Sequence, residues 1–137
     1  MTAPSGFWLL PYNIVMPDSK RIAVLGAGNI GAALIGGILK GGVADREHLI
    51  ATVRTAERAE ELAARYAITV TAGGNRQAAE AGDVIILAVK PSTLPRVLEE
   101  IRDVLRPDQI LISLAAAVPI ALIEKLIGKP MPIFRAM

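Results

Sequence analysis

From Arg21 onward, short apolar runs alternate with longer stretches in which apolar residues recur every three or four positions. Ile22 to Leu25 is wholly apolar, as expected of a strand covered on both faces. Asn29 to Lys40 has helical spacing, with Ile30, Leu34, Ile35, Ile38 and Leu39 as its apolar stripe. Gly41 and Gly42 are expected to close that helix, because glycine takes a left-handed turn at low cost. Leu49 to Val53 predicts a second strand, Ala56 to Tyr66 a helix rich in Ala, Glu and Arg, and Ile68 to Thr71 a short third strand. Asn75 to Ala81 predicts a brief helix, and Asp83 to Val89 a strongly apolar fourth strand. A helix follows from about Ser92 to Leu105, with Leu94, Val97, Leu98, Ile101 and Leu105 on one face. Ile110 to Leu114 predicts the fifth strand, Pro119 to Ile127 the last helix, and Pro132 to Arg135 the start of a sixth strand. Regular strand–helix alternation predicts an α/β domain, a parallel sheet with helices on both faces.

The first twenty residues do not share this pattern. Met1 to Lys20 carries Phe7, Trp8, Leu9 and Leu10, then Pro11 and Pro17, without periodicity. It has neither the basic start nor the long apolar core of a secretory signal. An arm at residues 1–20 is therefore expected, followed by one domain over residues 21–137. For the arm two readings stay open: an upstream start ahead of Met16 that carries no fixed structure, and an ordered segment that packs on a partner.

Composition narrows the classes of function. The 137 residues suit one domain, and an apolar share of 53% with 20% charged residues is enough to build a core. There is no cysteine, which excludes disulfides, thiolate metal sites and a cysteine nucleophile. Fifteen Lys and Arg against thirteen Asp and Glu leave a net charge of +2, scattered and with little aromatic company, so no nucleic-acid partner is expected. The longest apolar run, Ile110 to Ile123, is broken by Ser113 and Pro119 and is too short to cross a bilayer, so no membrane partner is expected and a cytoplasmic location is.

The strongest chemical signal is Gly26-Ala27-Gly28-Asn29-Ile30-Gly31, set where a strand ends and a helix begins. In that context the first glycine permits a tight turn. The second leaves room for a pyrophosphate, and the third lets helix and strand pack closely. The helix N-terminus then offers free N–H groups and a partial positive charge to the phosphates. The fold class this predicts is a Rossmann-type doubly wound parallel sheet. Its ligand site lies outside the carboxyl ends of the strands, where the order reverses between the first and fourth. An NAD-preferring site would place Asp or Glu at the end of the second strand. Here Ala51 to Thr55 contains no carboxylate, and Arg54, 23 positions after Gly31, stands beside Thr55 with Arg58 a turn further on. Arg54 and the Thr55 hydroxyl suit a 2′-phosphate, and one charge-assisted bond of about 1.5–3 kcal/mol favours NADP roughly tenfold or more. Ala88-Val89-Lys90-Pro91 ends the fourth strand with small side chains that let a cofactor approach. Lys90 reads equally as a phosphate-binding cation and as a solvated loop residue. Ala115-Ala116-Ala117 leaves room for a flat ring after the fifth strand, although packing explains that run as well. His48 reads as a surface residue. No catalytic triad, metal cluster or carboxylate pair emerges, so any chemistry is expected to be the cofactor's.

These segments resemble the N-terminal half of pyrroline-5-carboxylate reductases. The resemblance rests on Ile22 to Gly31, Asp83 to Pro91, Ile112 to Val118 and Arg135-Ala136-Met137, and extends over residues 21 to 137. It implies NADP contacts at Gly26, Ala27, Gly28, Asn29, Ile30, Gly31, Arg54, Thr55, Asn75, Ala88, Val89, Lys90, Pro91, Ala115 and Ala116. Asn75 enters that set because it lies 13 positions before Ala88, as in the family. The implied reaction is hydride transfer from NADPH to the imine of 1-pyrroline-5-carboxylate, giving proline. The chain departs from the family at Ala117, where glycine is usual. It also stops at Met137, where the family continues with Pro-Asn-Thr-Pro and a helical domain that forms the dimer and most of the substrate pocket. The resemblance therefore implies a shortened chain that binds cofactor but has an incomplete active site, and a homo-oligomer only with that further domain. Another NADP-linked reductase of the superfamily, F420-dependent or acting on imines, and a free-standing NADP-binding module are the alternatives. Lys90-Pro91 and Arg135-Ala136-Met137 argue against the first.

Overall fold

The computed structural model describes residues 20–137, and the expectations for the Phe7–Trp8 arm fall outside the described residues. Among the described residues six strands, β1 (Ile22–Leu25), β2 (Leu49–Val53), β3 (Thr69–Ala72), β4 (Val84–Leu87), β5 (Ile110–Ser113) and β6 (Ile133–Arg135), alternate with five α-helices. The helices are α1 (Asn29–Lys40), α2 (Ala56–Tyr66), α3 (Asn75–Ala81), α4 (Leu94–Ile101) and α5 (Ile120–Ile127). All strand pairs are parallel, in the order β3-β2-β1-β4-β5-β6. The order reverses between β1 and β4, as the strand–helix alternation predicts.

The apolar character of β1 follows from its position. Ala23 and Leu25 point into a cluster built with Leu94, Leu98 and Ile101 of α4, Ala78 and Ala79 of α3, and Ile123 of α5. Ile22 and Val24 point the other way, into a cluster with Ile35 and Ile38 of α1 and Leu62 of α2. Period-two alternation therefore supplies both layers at once, and no residue of β1 is free to be polar. Burying each Leu or Ile side chain stabilises the fold by about 1.5–3 kcal/mol.

Several boundaries differ from the expectation. β3 begins at Thr69, one residue late, because Ile68 turns into the core of the α1–α2 face while the edge strand itself is largely exposed. β4 ends at Leu87, before Ala88 and Val89 leave the sheet. α4 starts at Leu94, and a 3-10 turn over Arg102–Val104 replaces its last helical turn. At the end of α1 Gly42 takes the left-handed conformation, with φ +69°, while Gly41 stays right-handed.

Ile30 departs most from the pattern: expected in the stripe of α1, it is 69% exposed. The first turn of α1 packs through Gly31 and Ala32 instead, and a Cβ on Gly31 would lie 3.2 Å from the Ala88 Cβ. The helix start lies too close to the sheet for a large side chain.

Ala117 holds φ +61°, a left-handed conformation that costs an L-residue about 1–2 kcal/mol and glycine little. Ala117→Gly is therefore expected to stabilise the chain by about 0.5–1 kcal/mol after the extra unfolded-state freedom of glycine is subtracted. The check is the midpoint of urea unfolding, which should rise with the slope unchanged.

Candidate functional site

Because every strand runs the same way, the residues that follow β1, β2 and β4 collect at one edge of the sheet. They enclose a cavity of about 380 Å³. The turn after β1 contributes Gly26, Ala27 and Gly28. The end of β2 contributes Thr52, Val53, Arg54 and Thr55, with Arg58 from α2. Asn75 opens α3, and Ala88, Val89 and Lys90 follow β4. Thr93, Arg96 and Val97 line the far wall from the start of α4.

The three glycines of the turn have separate jobs. Gly26 has φ +80°, and a Cβ on it would lie 2.2 Å from Val89 Cγ1, so the turn excludes a side chain both by conformation and by space. Around Gly28 nothing lies within 4 Å of the corresponding point, leaving an open cradle above the chain. Gly31 faces inward and sets the helix-to-sheet distance.

The pairing of the amides defines which N–H groups are free. The glycine turn itself offers no free donors. The Gly26 and Ala27 amides donate to the Thr52 carbonyl at 3.1 and 2.7 Å, and the Gly28 amide donates to the Gly26 carbonyl at 2.7 Å. The amides of Asn29, Ile30 and Gly31, in the first turn of α1, find no acceptor among the described residues, since the first helical bond runs from Ala32 N–H to Gly28. Gly28 provides no side-chain cap either. The anion-ready donors are thus the first-turn amides of α1, which point back toward the helix N-terminus.

At the end of β2 the Thr55 hydroxyl caps α2 by accepting the Arg58 amide at 3.2 Å, which leaves its own proton to donate. Arg58 donates to the Gly28 carbonyl at 3.2 Å and pairs with Glu61 at 3.0 Å, fastening α2 to the glycine turn. Arg54, Lys90 and Arg96 have no carboxylate within ion-pair distance among the described residues. The cavity lining therefore holds four cationic side chains and no Asp or Glu. A cleft lined by one sign of charge attracts a ligand with several negative charges. The open cradle over Gly28, the unpaired amides of α1 and this cationic lining together fit a dinucleotide pyrophosphate.

Of the residues singled out from the sequence, Gly26, Ala27, Gly28, Arg54, Thr55, Asn75, Ala88, Val89 and Lys90 come together in the lining. Asn29, Ile30, Gly31, Pro91, Ala115 and Ala116 do not. Asn29 and Ile30 turn their side chains to solvent, and Gly31 is packed against Ala88. Pro91 is exposed beyond Lys90, and Ala115 is buried and Ala116 exposed after β5 at the same edge of the sheet. Thr52, Val53, Thr93, Arg96 and Val97 had not been singled out for the site. Val97 also belongs to the core, as its helical spacing predicts, at 2% exposure. A helix that opens beside a ligand cleft commonly turns its first residues into it, and that position was the available signal for Thr93 and Arg96. His48 lies at the opposite edge, before β2, where its imidazole meets Asp45 and, chiefly through that hydrogen bond, holds the Asp45 carboxyl below its usual range.

The sheet order, the glycine turn and the cavity at the reversal point define a Rossmann-type nucleotide domain. The chain belongs to the family described as NADP oxidoreductase, coenzyme F420-dependent, whose model matches residues 21–117. Among curated proteins it is similar to the pyrroline-5-carboxylate reductase of Pseudomonas aeruginosa, 38% identical over 120 residues, which cover 88% of this chain and 43% of that protein. Among solved structures it is similar to a pyrroline-5-carboxylate reductase from Coxiella burnetii, at 34% identity and a TM-score of 0.82 over 88% of this chain and 44% of that one. The pyrroline carboxylate reductase of Plasmodium falciparum, solved with NADP bound, shares the fold at 24% identity and a TM-score of 0.73, over 85% of this chain and 42% of that one. The resemblance read from the sequence therefore holds, and the chain spans somewhat under half the length of the relatives it matches. No helix among the described residues is long and apolar enough to cross a membrane.

Proposed function

We propose that the cavity holds NADPH and that the chain serves the reduction of 1-pyrroline-5-carboxylate to proline. One observation carries the cofactor half of this reading: a lining with four cations and no carboxylate, set against the unpaired amides of α1. The amides of Asn29, Ile30 and Gly31 receive the pyrophosphate across Gly28. Arg54 and the Thr55 hydroxyl receive the 2′-phosphate, with Arg58 alongside. Ala88, Val89 and Lys90 close the cavity on the β4 side, and Pro91, Ala115 and Ala116 lie beyond it toward the nicotinamide end. When bound, the reduced nicotinamide supplies a hydride to the imine carbon. The similarity to named pyrroline-5-carboxylate reductases supports the choice of substrate. The description of the family model supports a second reading, hydride exchange between NADP and coenzyme F420.

NADPH and NADH titrated against the 137-residue chain and followed by nicotinamide fluorescence test the cofactor assignment. NADPH is expected to bind at least about tenfold more tightly, and Arg54→Ala to remove most of that difference. Equal affinities in the unaltered chain would overturn the roles of Arg54 and Thr55. NADPH oxidation driven by 1-pyrroline-5-carboxylate, and not by oxidised F420, separates the two reactions.

A further inference from the structure

Thr52 is a buried hydroxyl, 1% exposed, near the end of β2. Its partners form a directed chain. The Glu100 carboxylate on α4 only accepts, so the Asn75 amide turns its Nδ2 toward Glu100 Oε1, at 3.1 Å. That orientation leaves Asn75 Oδ1 facing Thr52, whose hydroxyl must then donate to it, at 2.6 Å. With its proton committed, the Thr52 oxygen is free to accept the Gly26 amide at 3.0 Å, beside the 3.1 Å bond from the same amide to the Thr52 carbonyl. Glu100 lies one helical turn beyond Arg96 and Val97, so the chain of bonds runs beneath the cavity from its α4 wall to its glycine wall.

We propose that Glu100, Asn75 and Thr52 act as a polar strut that sets the separation of these two walls and so holds the Gly26 turn where a dinucleotide fits. The inference rests on the dinucleotide reading of the cavity. It makes Thr52 and Glu100 positioning residues. It also restricts Asn75: with one Nδ2 proton and one Oδ1 lone pair committed, that side chain offers a ligand one donor and one remaining lone pair.

Two readouts on the full chain test the strut. In the ligand-free protein, Thr52→Val and Glu100→Ala should both move the Gly26 amide resonance and speed its hydrogen exchange, whereas Thr52→Ser should leave both near the unaltered values. For NADPH, Thr52→Val should weaken binding about five- to tenfold, Glu100→Ala about threefold, and Thr52→Ser less than about twofold. The double variant Thr52→Val/Glu100→Ala should bind no more weakly than Thr52→Val, because links of one chain are not additive. Glu100 is exposed, and Arg76 bonds its backbone carbonyl, so Glu100→Ala keeps the fold even where Thr52→Val does not. A Gly26 amide indifferent to Glu100→Ala would overturn the strut whatever the chain binds. Coupling at Gly26 with unchanged NADPH affinity in both variants would overturn the positioning role while leaving the cofactor reading intact. Failure of the unaltered chain to bind NADPH would remove the cofactor reading and this proposal with it.

Discussion

Gly28→Ala is expected to weaken NADPH binding about thirtyfold to a hundredfold while changing the stability of the free chain by less than about 1 kcal/mol. The expectation follows from the empty space over Gly28, where no atom of the protein lies within 4 Å of a Cβ position. The free protein therefore has nothing for an added methyl to strike, and φ at Gly28 is negative, at −82°. A ligand in that space meets the methyl directly. Its phosphate is held away from the amides of Asn29, Ile30 and Gly31, and losing one or two charge-assisted bonds costs about 2–3 kcal/mol of binding. Fluorescence titration and thermal unfolding of the same preparation read the two quantities. Unweakened binding would mean that the phosphates lie elsewhere.

Gly26→Ala should do the reverse, destabilising the chain by about 2–3 kcal/mol before any ligand is present. Part of the cost is the left-handed backbone at φ +80°, about 1–2 kcal/mol for an L-residue. The rest is steric, because the new Cβ would sit 2.2 Å from Val89 Cγ1. Either the turn opens, breaking the Gly26 and Ala27 bonds to Thr52, or the segment after β4 retreats from the cavity. For a domain of this size the melting temperature should fall by roughly 8–12 °C. Gly26→Ala/Val89→Ala should recover part of that loss, since shortening Val89 removes the collision and leaves the backbone term. No recovery would show that conformation alone demands glycine there.

The architecture was legible because the sheet is parallel and buried on both faces, so its central strands are written as unbroken apolar runs such as Ile22–Leu25 and Val84–Leu87. The glycine turn was legible because a tight turn and a close approach each exclude a Cβ, and glycine is the only residue that answers both. What escaped depends on contacts far apart in sequence. That the Gly26 and Ala27 amides are consumed by Thr52, 26 residues away from Gly26, leaves no local trace. Ile30 has the right spacing for a core stripe, yet the approach of α1 to Ala88 admits only Gly31 and Ala32 at that end. Arg96 and Thr93 carry no signal of a site in their spacing, because the spacing of their helix shows only the apolar face of Leu94, Val97, Leu98 and Ile101, while its first turn also borders the cavity. Ala115 and Ala116 suggest room for a flat ring by their size and contacts by the resemblance, and their place outside the cavity lining is a matter of tertiary placement that spacing does not encode.

The most direct test is a backbone amide titration of the isotopically labelled 137-residue chain with NADPH, followed by two-dimensional NMR. The expected result is large, saturable shifts at Asn29, Ile30 and Gly31, smaller ones at Gly26 and Ala27, whose N–H groups are already bonded to Thr52, and a second group at Arg54 and Thr55. Saturation with no movement in the first turn of α1, or shifts confined to the opposite edge around Asp45 and His48, would contradict the placement of the pyrophosphate at that helix.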